Sequence, residues 1–99
     1  MKQMELCVIV EFHARPGREA ALEAAIRKVV PPSRQEASCL AINAFRSKRN
    51  AALFFVISRW SDERAFDAHA GLAHTVEFLA TAGPLLTHEV EAVRSSQIA

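Results

Sequence analysis

Leu6-Cys7-Val8-Ile9-Val10-Glu11-Phe12-His13 is the stretch that decides the fold. Leu6, Val8, Val10 and Phe12 alternate with Cys7, Ile9, Glu11 and His13, the two-residue period of a β-strand. A strand is therefore expected over Met4–Ala14. A strand covered on one side only would place polar groups on its outer parity. Here both parities start apolar, which is the pattern of a strand covered on both faces. Ala51–Trp60, rich in Phe54, Phe55, Val56 and Ile57, reads as a strand of the same two-sided kind.

The rest of the chain fills in around these two strands. Arg15-Pro16-Gly17 is a turn, and Arg18–Val30 is a helix. Leu22, Ala25, Ile26, Val29 and Val30 form one apolar stripe at helical spacing, and Glu23 and Arg27 make a favourable pair on its flank. Pro31-Pro32 is expected to end or kink that helix. Ser33–Ser38 leaves room for one more turn, with Ser33 as its cap. Cys39–Arg46 is a second strand, joined by the polar tip Ser47-Lys48-Arg49-Asn50 to the third as a hairpin. Ser61 caps a second helix, with Asp62 and Glu63 in its first turn. Ala65, Phe66 and His69 share one of its faces, and Gly71 breaks it. Ala73–Ala82 is a third helix, with Val76, Leu79 and Ala80 expected inward and Gly83-Pro84 as its stop. His88–Arg94 is a fourth strand.

The order β-α-β-β-α-(α)-β predicts an α+β fold of the ferredoxin-like kind, one antiparallel sheet with helices on a single face. The other sheet face is then apolar and uncovered, a sticky patch for a lone molecule. Two subunits are expected to pack these faces together, as a closed barrel or a sheet-on-sheet homodimer.

Composition bounds the function. Ninety-nine residues, 51% hydrophobic and 23% charged, are the size and make-up of one globular domain over residues 1–99. Twelve Lys+Arg against eleven Asp+Glu give a formal charge of +1. Nucleic acid and a polybasic membrane surface are thus excluded as partners, since both need a basic excess. No apolar run approaches the roughly 18 residues of a membrane span. Met1–Val10 carries one Lys and no small-residue cleavage site, so it reads as strand and not as signal peptide. Two cysteines, Cys7 and Cys39, make no disulfide framework, and a reducing cytoplasm is the expected location.

Phosphate-loop, dinucleotide, serine-hydrolase and CxxC signatures are absent. No metal site is expected: His13 with Glu11 is the best two-ligand pair, and two ligands do not make a site. What stands out is Arg59-Trp60-Ser61-Asp62-Glu63-Arg64-Ala65-Phe66-Asp67-Ala68-His69, followed by His74 and Phe78. Each residue also has a plain reading. Trp60 can be a core plug, His69 a half-buried imidazole bonded to backbone, His74 a cap, and Asn43 a polar residue at a strand edge or dimer seam.

This segment resembles the antibiotic biosynthesis monooxygenase family, with Trp60-x8-His69-x4-His74 as its most specific part. The Phe12–Glu19 stretch and Ser38-Cys39-Leu40 extend the likeness over most of the chain. The resemblance implies a dimeric α+β barrel. In some members it implies oxygenation of polycyclic phenols or quinols without metal, flavin or other cofactor. Ser58 stands where such proteins usually carry Glu, and the chain has no Tyr.

Cofactor-free oxygenation needs an anion that can give an electron to O2, so the protein must remove a proton and exclude water. His69 is the candidate base and His74 a second one. Asn43 and Trp60 are candidate donors to an oxyanion or peroxide. Phe45, Phe54, Phe66 and Phe78, with Ser58, are the candidate walls for a flat aromatic substrate. Two other readings remain. One is an isomerase of a phosphorylated or polyhydroxylated carbonyl compound, with an anion site at Arg59, Arg64 or the Ser61 helix start. The other is a non-catalytic dimeric small-molecule-binding domain.

Overall fold

The computed structural model describes residues 5–99, so Met4, the expected first residue of the opening strand, lies outside the described residues. Strand β1 is Leu6–His13, helix α1 Glu19–Arg34, β2 Cys39–Arg46, β3 Leu53–Trp60, α2 Glu63–Ala70, α3 Ala73–Ala82 and β4 Ala92–Ser95. The sheet order is β2-β3-β1-β4, with every neighbouring pair antiparallel. This is the ferredoxin-like arrangement that the order of elements predicts.

The two parities of β1 face different worlds. Leu6, Val8 and Phe12 are buried under the helices, as are Phe54, Val56, Ser58 and Trp60 of β3 and Ile42 of β2. Ile9, Ile57, Phe45 and Val93 are large apolar side chains left exposed. The register explains why they gather: Val93 pairs with Ile9, Ile9 with Ile57, and Ile57 with Asn43 in one row across the sheet. That row lies on the face without helices.

Helix α1 covers the other face with the stripe Leu22, Ile26, Val29 and Val30. Each such side chain, fully buried, contributes about 1.5–3 kcal/mol of transfer free energy. The helix enters from a turn in which Gly17 takes φ +83°, a conformation that a side chain would strain. Contrary to expectation, α1 does not stop at Pro31-Pro32 but runs through both to Arg34. The prolines lack the N–H groups that would serve the carbonyls of Arg27 and Lys28, and both of those residues are exposed to water. Ser33 is not a cap. It is fully buried, and its Oγ donates to the Val29 carbonyl at 2.8 Å.

Other boundaries differ from expectation too. Ala51 and Ala52 belong to the hairpin turn, where the Asn50 side chain accepts from Ala52 N at 3.1 Å. The cap of α2 is Asp62, which accepts from Ala65 N at 2.8 Å, and not Ser61. In α3 the buried residues are Thr75, Phe78 and Ala82. The large Phe78 ring turns inward onto Phe12, edge to face at 5.7 Å, and so rotates Val76, Leu79 and Ala80 outward. Strand β4 forms only at Ala92–Ser95, because before it Leu86 makes a single bridge with Ala14 and Thr87–Glu91 stays irregular. Among the described residues no helix is long and apolar enough to cross a membrane.

Candidate functional site

Trp60 ends β3 on the helix-facing parity and is completely buried. Its indole Nε1 donates to Ser58 Oγ at 2.9 Å, two residues back on the same strand face. The Asp62 cap then starts α2 at once. That entry folds Ala65 and Phe66 back onto a small cluster of Leu6, Val8 and Trp60. One turn later His69 lies over the indole, ring centroids 4.5 Å apart and planes at 36°. Phe66 packs beside both rings, at 5.8 Å from Trp60 and 5.6 Å from His69. The imidazole is thus held by aromatic neighbours before any hydrogen bond is counted.

His69 Nδ1 lies 2.7 Å from Oε2 of Glu36. His74 Nε2, from the start of α3, lies 2.7 Å from the same oxygen. Thr75 Oγ1 is 3.3 Å from His69 Nδ1. Glu36 sits in the turn that closes α1, where its N–H donates to Ser33 O at 3.2 Å and its carbonyl accepts from Cys39 N at 3.0 Å. Side-chain exposure is 10% for His69, 13% for Glu36 and 26% for His74. An ionised carboxylate can only accept, so each imidazole presents an N–H to it. With hydrogen on Nδ1, a neutral His69 keeps its lone pair on Nε2. Burial pushes the neighbouring Cys39 thiol upward, and the Glu36 charge pushes the same way.

Between sheet and helices lies a cavity of about 260 Å³. Val8, Val10, Val56 and Ser58 form its sheet side, and Phe66, His69, Thr75 and Phe78 line its helix side. The space is therefore open and not filled by side chains. It is apolar, and among the described residues His69 is its only titratable wall. Ser58 and Ser33, two of its few polar groups, already have partners in Trp60 and Val29.

The structure thus gathers His69, Ser58, Phe66 and Phe78 around one cavity. Trp60 stands behind the wall, its N–H already spent on Ser58, and His74 stands behind His69 through Glu36. The remaining three candidates lie elsewhere. Asn43 is on the helix-free sheet face, where its Oδ1 accepts from Arg34 Nη2 at 3.0 Å. Phe45 shares that face and is half exposed. Phe54 is a core residue under the Arg46 guanidinium, 4.9 Å from its ring centre, and does not line the cavity. Sequence reasoning missed Glu36. No local spacing signals it, since its partner His69 is 33 positions away.

The profile of the antibiotic biosynthesis monooxygenase family matches residues 5–81. The chain belongs to that family. The span runs from β1 to the end of α3 and includes Glu36, His69 and His74, so the whole site lies inside the family domain. Among its relatives is Rv0793 of Mycobacterium tuberculosis, a protein provisionally named a monooxygenase. It is 31% identical over 85 residues, covering 86% of this chain and 83% of the relative. The solved structure of PA3566 from Pseudomonas aeruginosa superposes with a TM-score of 0.91 at 30% identity, over 100% of this chain and 99% of that one. That of Rv0793 gives 0.89 at 26% identity, over 96% of each. Their likeness extends to β4, beyond the span that the family profile matches.

Proposed function

We propose that this family member is a cofactor-independent monooxygenase of a small phenolic or quinol-like aromatic, working as a homodimer joined through the helix-free sheet face. One observation carries the reading: a buried imidazole in the wall of an apolar cavity, with Nδ1 on a carboxylate and Nε2 left as the basic nitrogen. A general base needs that tautomer, and a carboxylate partner both fixes it and stabilises the imidazolium that forms.

The chemistry follows for a substrate with an activated ring methylene. His69 Nε2 takes a proton from carbon. The resulting anion gives one electron to O2, and recombination of the radical pair forms the C–O bond of a peroxide, which takes the proton back from His69. Loss of the second methylene proton to His69 breaks the O–O bond. The carbon becomes a carbonyl, and the departing hydroxide takes the proton from the imidazolium and leaves as water. One O2 is consumed, one oxygen enters the product, and two substrate hydrogens end in water. The apolar walls keep bulk water from the reduced oxygen species.

The isomerase reading has less support. It calls for a cationic group at the ligand, and among the described residues no Arg or Lys lines the cavity. Arg59 instead lies on the helix-free parity with Glu5 at 3.8 Å. The test is oxygen uptake by purified protein with an anthrone or a quinol. Turnover is expected, and His69→Ala should slow it by ~10²–10⁴. No uptake above background across a panel of such aromatics would sink the proposal.

A further inference from the structure

We propose that Glu36, His69 and His74 bind a divalent transition-metal ion of the zinc class, at the junction of α1, α2 and α3 behind the cavity wall. The sequence offered no such site, since Glu36 is 33 residues from His69 and 38 from His74. The fold brings one carboxylate oxygen and two imidazole nitrogens within 4.8 Å of one another. Ligands of a tetrahedral ion at about 2.0–2.2 Å stand roughly 3.3–3.6 Å apart, so ligation needs side-chain adjustments on the order of an ångström.

The donor set chooses the ion. Two imidazoles with one carboxylate suit zinc, cobalt, nickel or copper, whereas magnesium and calcium take oxygen ligands. The surroundings favour a cation as well. The Glu36 carboxylate is mostly buried, and among the described residues its hydrogen-bond partners are the two imidazoles, with no Lys or Arg. A buried carboxylate without a positive partner is costly, and a bound cation offsets that cost directly. The His69 ring is braced by Trp60 and Phe66. His74, the most exposed of the three, also reaches a surface pocket. His74 lines a pocket of about 130 Å³ open between α1 and α3, with Lys28, Glu77 and Thr81 around it.

The ion would have a consequence for the activity proposed above, and this part rests on that reading. A metal on His69 Nδ1 leaves the ring hydrogen on Nε2, the nitrogen that must act as base. Metal binding and base catalysis at His69 therefore exclude each other, and a filled site switches the base off.

The test is titration of chelator-treated protein with Zn²⁺ by calorimetry and with Co²⁺ by visible absorption. One ion per chain is expected, with the cobalt absorption of nitrogen–oxygen ligation. Glu36→Gln and His74→Asn should each weaken binding at least ~10-fold, the scale seen when a metal site loses even an outer-shell partner. Both variants are checked for folding by circular dichroism. The double variant His13→Ala/His88→Ala removes the separate pair of rings 4.6 Å apart and tilted by 40°, and it should bind as the parent does. Absence of one-to-one binding to the parent protein would overturn the site, whatever the variants do. So would affinity that survives Glu36→Gln and His74→Asn, or that is lost only in the His13/His88 variant. Tight binding that leaves oxygen uptake unchanged would leave the site standing and remove His69 as the base.

Discussion

Oε2 of Glu36 and Nδ1 of His69 lie 2.7 Å apart, although 33 positions, the whole β2–β3 hairpin and most of α2 separate them along the chain. The pair turns a buried histidine into one with a defined tautomer. It also predicts a division of labour. Glu36→Gln should keep the fold and the substrate affinity but lower kcat by between ~10-fold and the ~10⁴ that the equivalent carboxylate-to-amide change costs a serine-protease triad. His69→Ala should cost at least as much. Steady-state oxygen uptake, read separately as kcat and KM, checks this. A Glu36→Gln enzyme with unchanged kcat removes Glu36 from the machinery.

Trp60 should prove structural first. Trp60→Ala removes a side chain with no exposure and is expected to destabilise by about 3–5 kcal/mol. Trp60→Phe keeps most of the packing but removes the N–H to Ser58, for about 1–3 kcal/mol. Urea unfolding of both variants measures the two losses, and equal losses would contradict the role given to that hydrogen bond.

The helix-free sheet face should hold two chains together. Ile57 pairs with Ile9 and Asn43 at the middle of that face. Light scattering after size exclusion should report twice the 10.9 kDa chain mass, and Ile57→Lys should return the single-chain mass. A stable monomer at micromolar concentration would end the dimer proposal.

Cys39 should be a sluggish nucleophile. Burial first, and the Glu36 charge second, raise its thiol above the ordinary 9.0, against smaller lowering effects of a backbone hydrogen bond and of Arg34. Iodoacetamide at pH 7–8 is therefore expected to label it more slowly than an unstructured cysteine, with the rate still climbing above pH 9.0, where that of the unstructured one levels off. The linkage has a definite sign. Between 9.0 and the raised folded value the unfolded chain loses its proton first, so stability falls as pH rises through that window. Below 9.0 the thiol is neutral in both states and adds no pH dependence.

Much of the architecture was legible in the chain because it rests on local periodicity. The alternation of β1, the stripe Leu22–Ile26–Val29–Val30 and the hairpin tip Ser47–Asn50 each follow from side-chain direction alone. The errors came where packing overrode a local signal. Pro31-Pro32 is a stop in isolation, yet the exposed carbonyls of Arg27 and Lys28 let α1 pass. Val76, Leu79 and Ala80 look like an inner face, yet the Phe78 ring has the larger surface to bury. Of the candidate site residues, those on α2 and α3 shared a helix spacing that could be read directly. Asn43 and Phe45 could not be given a sheet face from the chain, because their parity on β2 depends on the bulge between Cys39 and Ala41.

By itself the chain dictated the order of its elements, the two-sided apolar character of its inner strands and the aromatic–imidazole spacing Trp60–His69–His74, because each depends on neighbours within a few residues. Only the tertiary structure decided which sheet face the helices cover, that a cavity stays open beside His69, and that Glu36 becomes its partner. Those outcomes depend on side chains tens of residues apart meeting in space, and no local period encodes such a meeting.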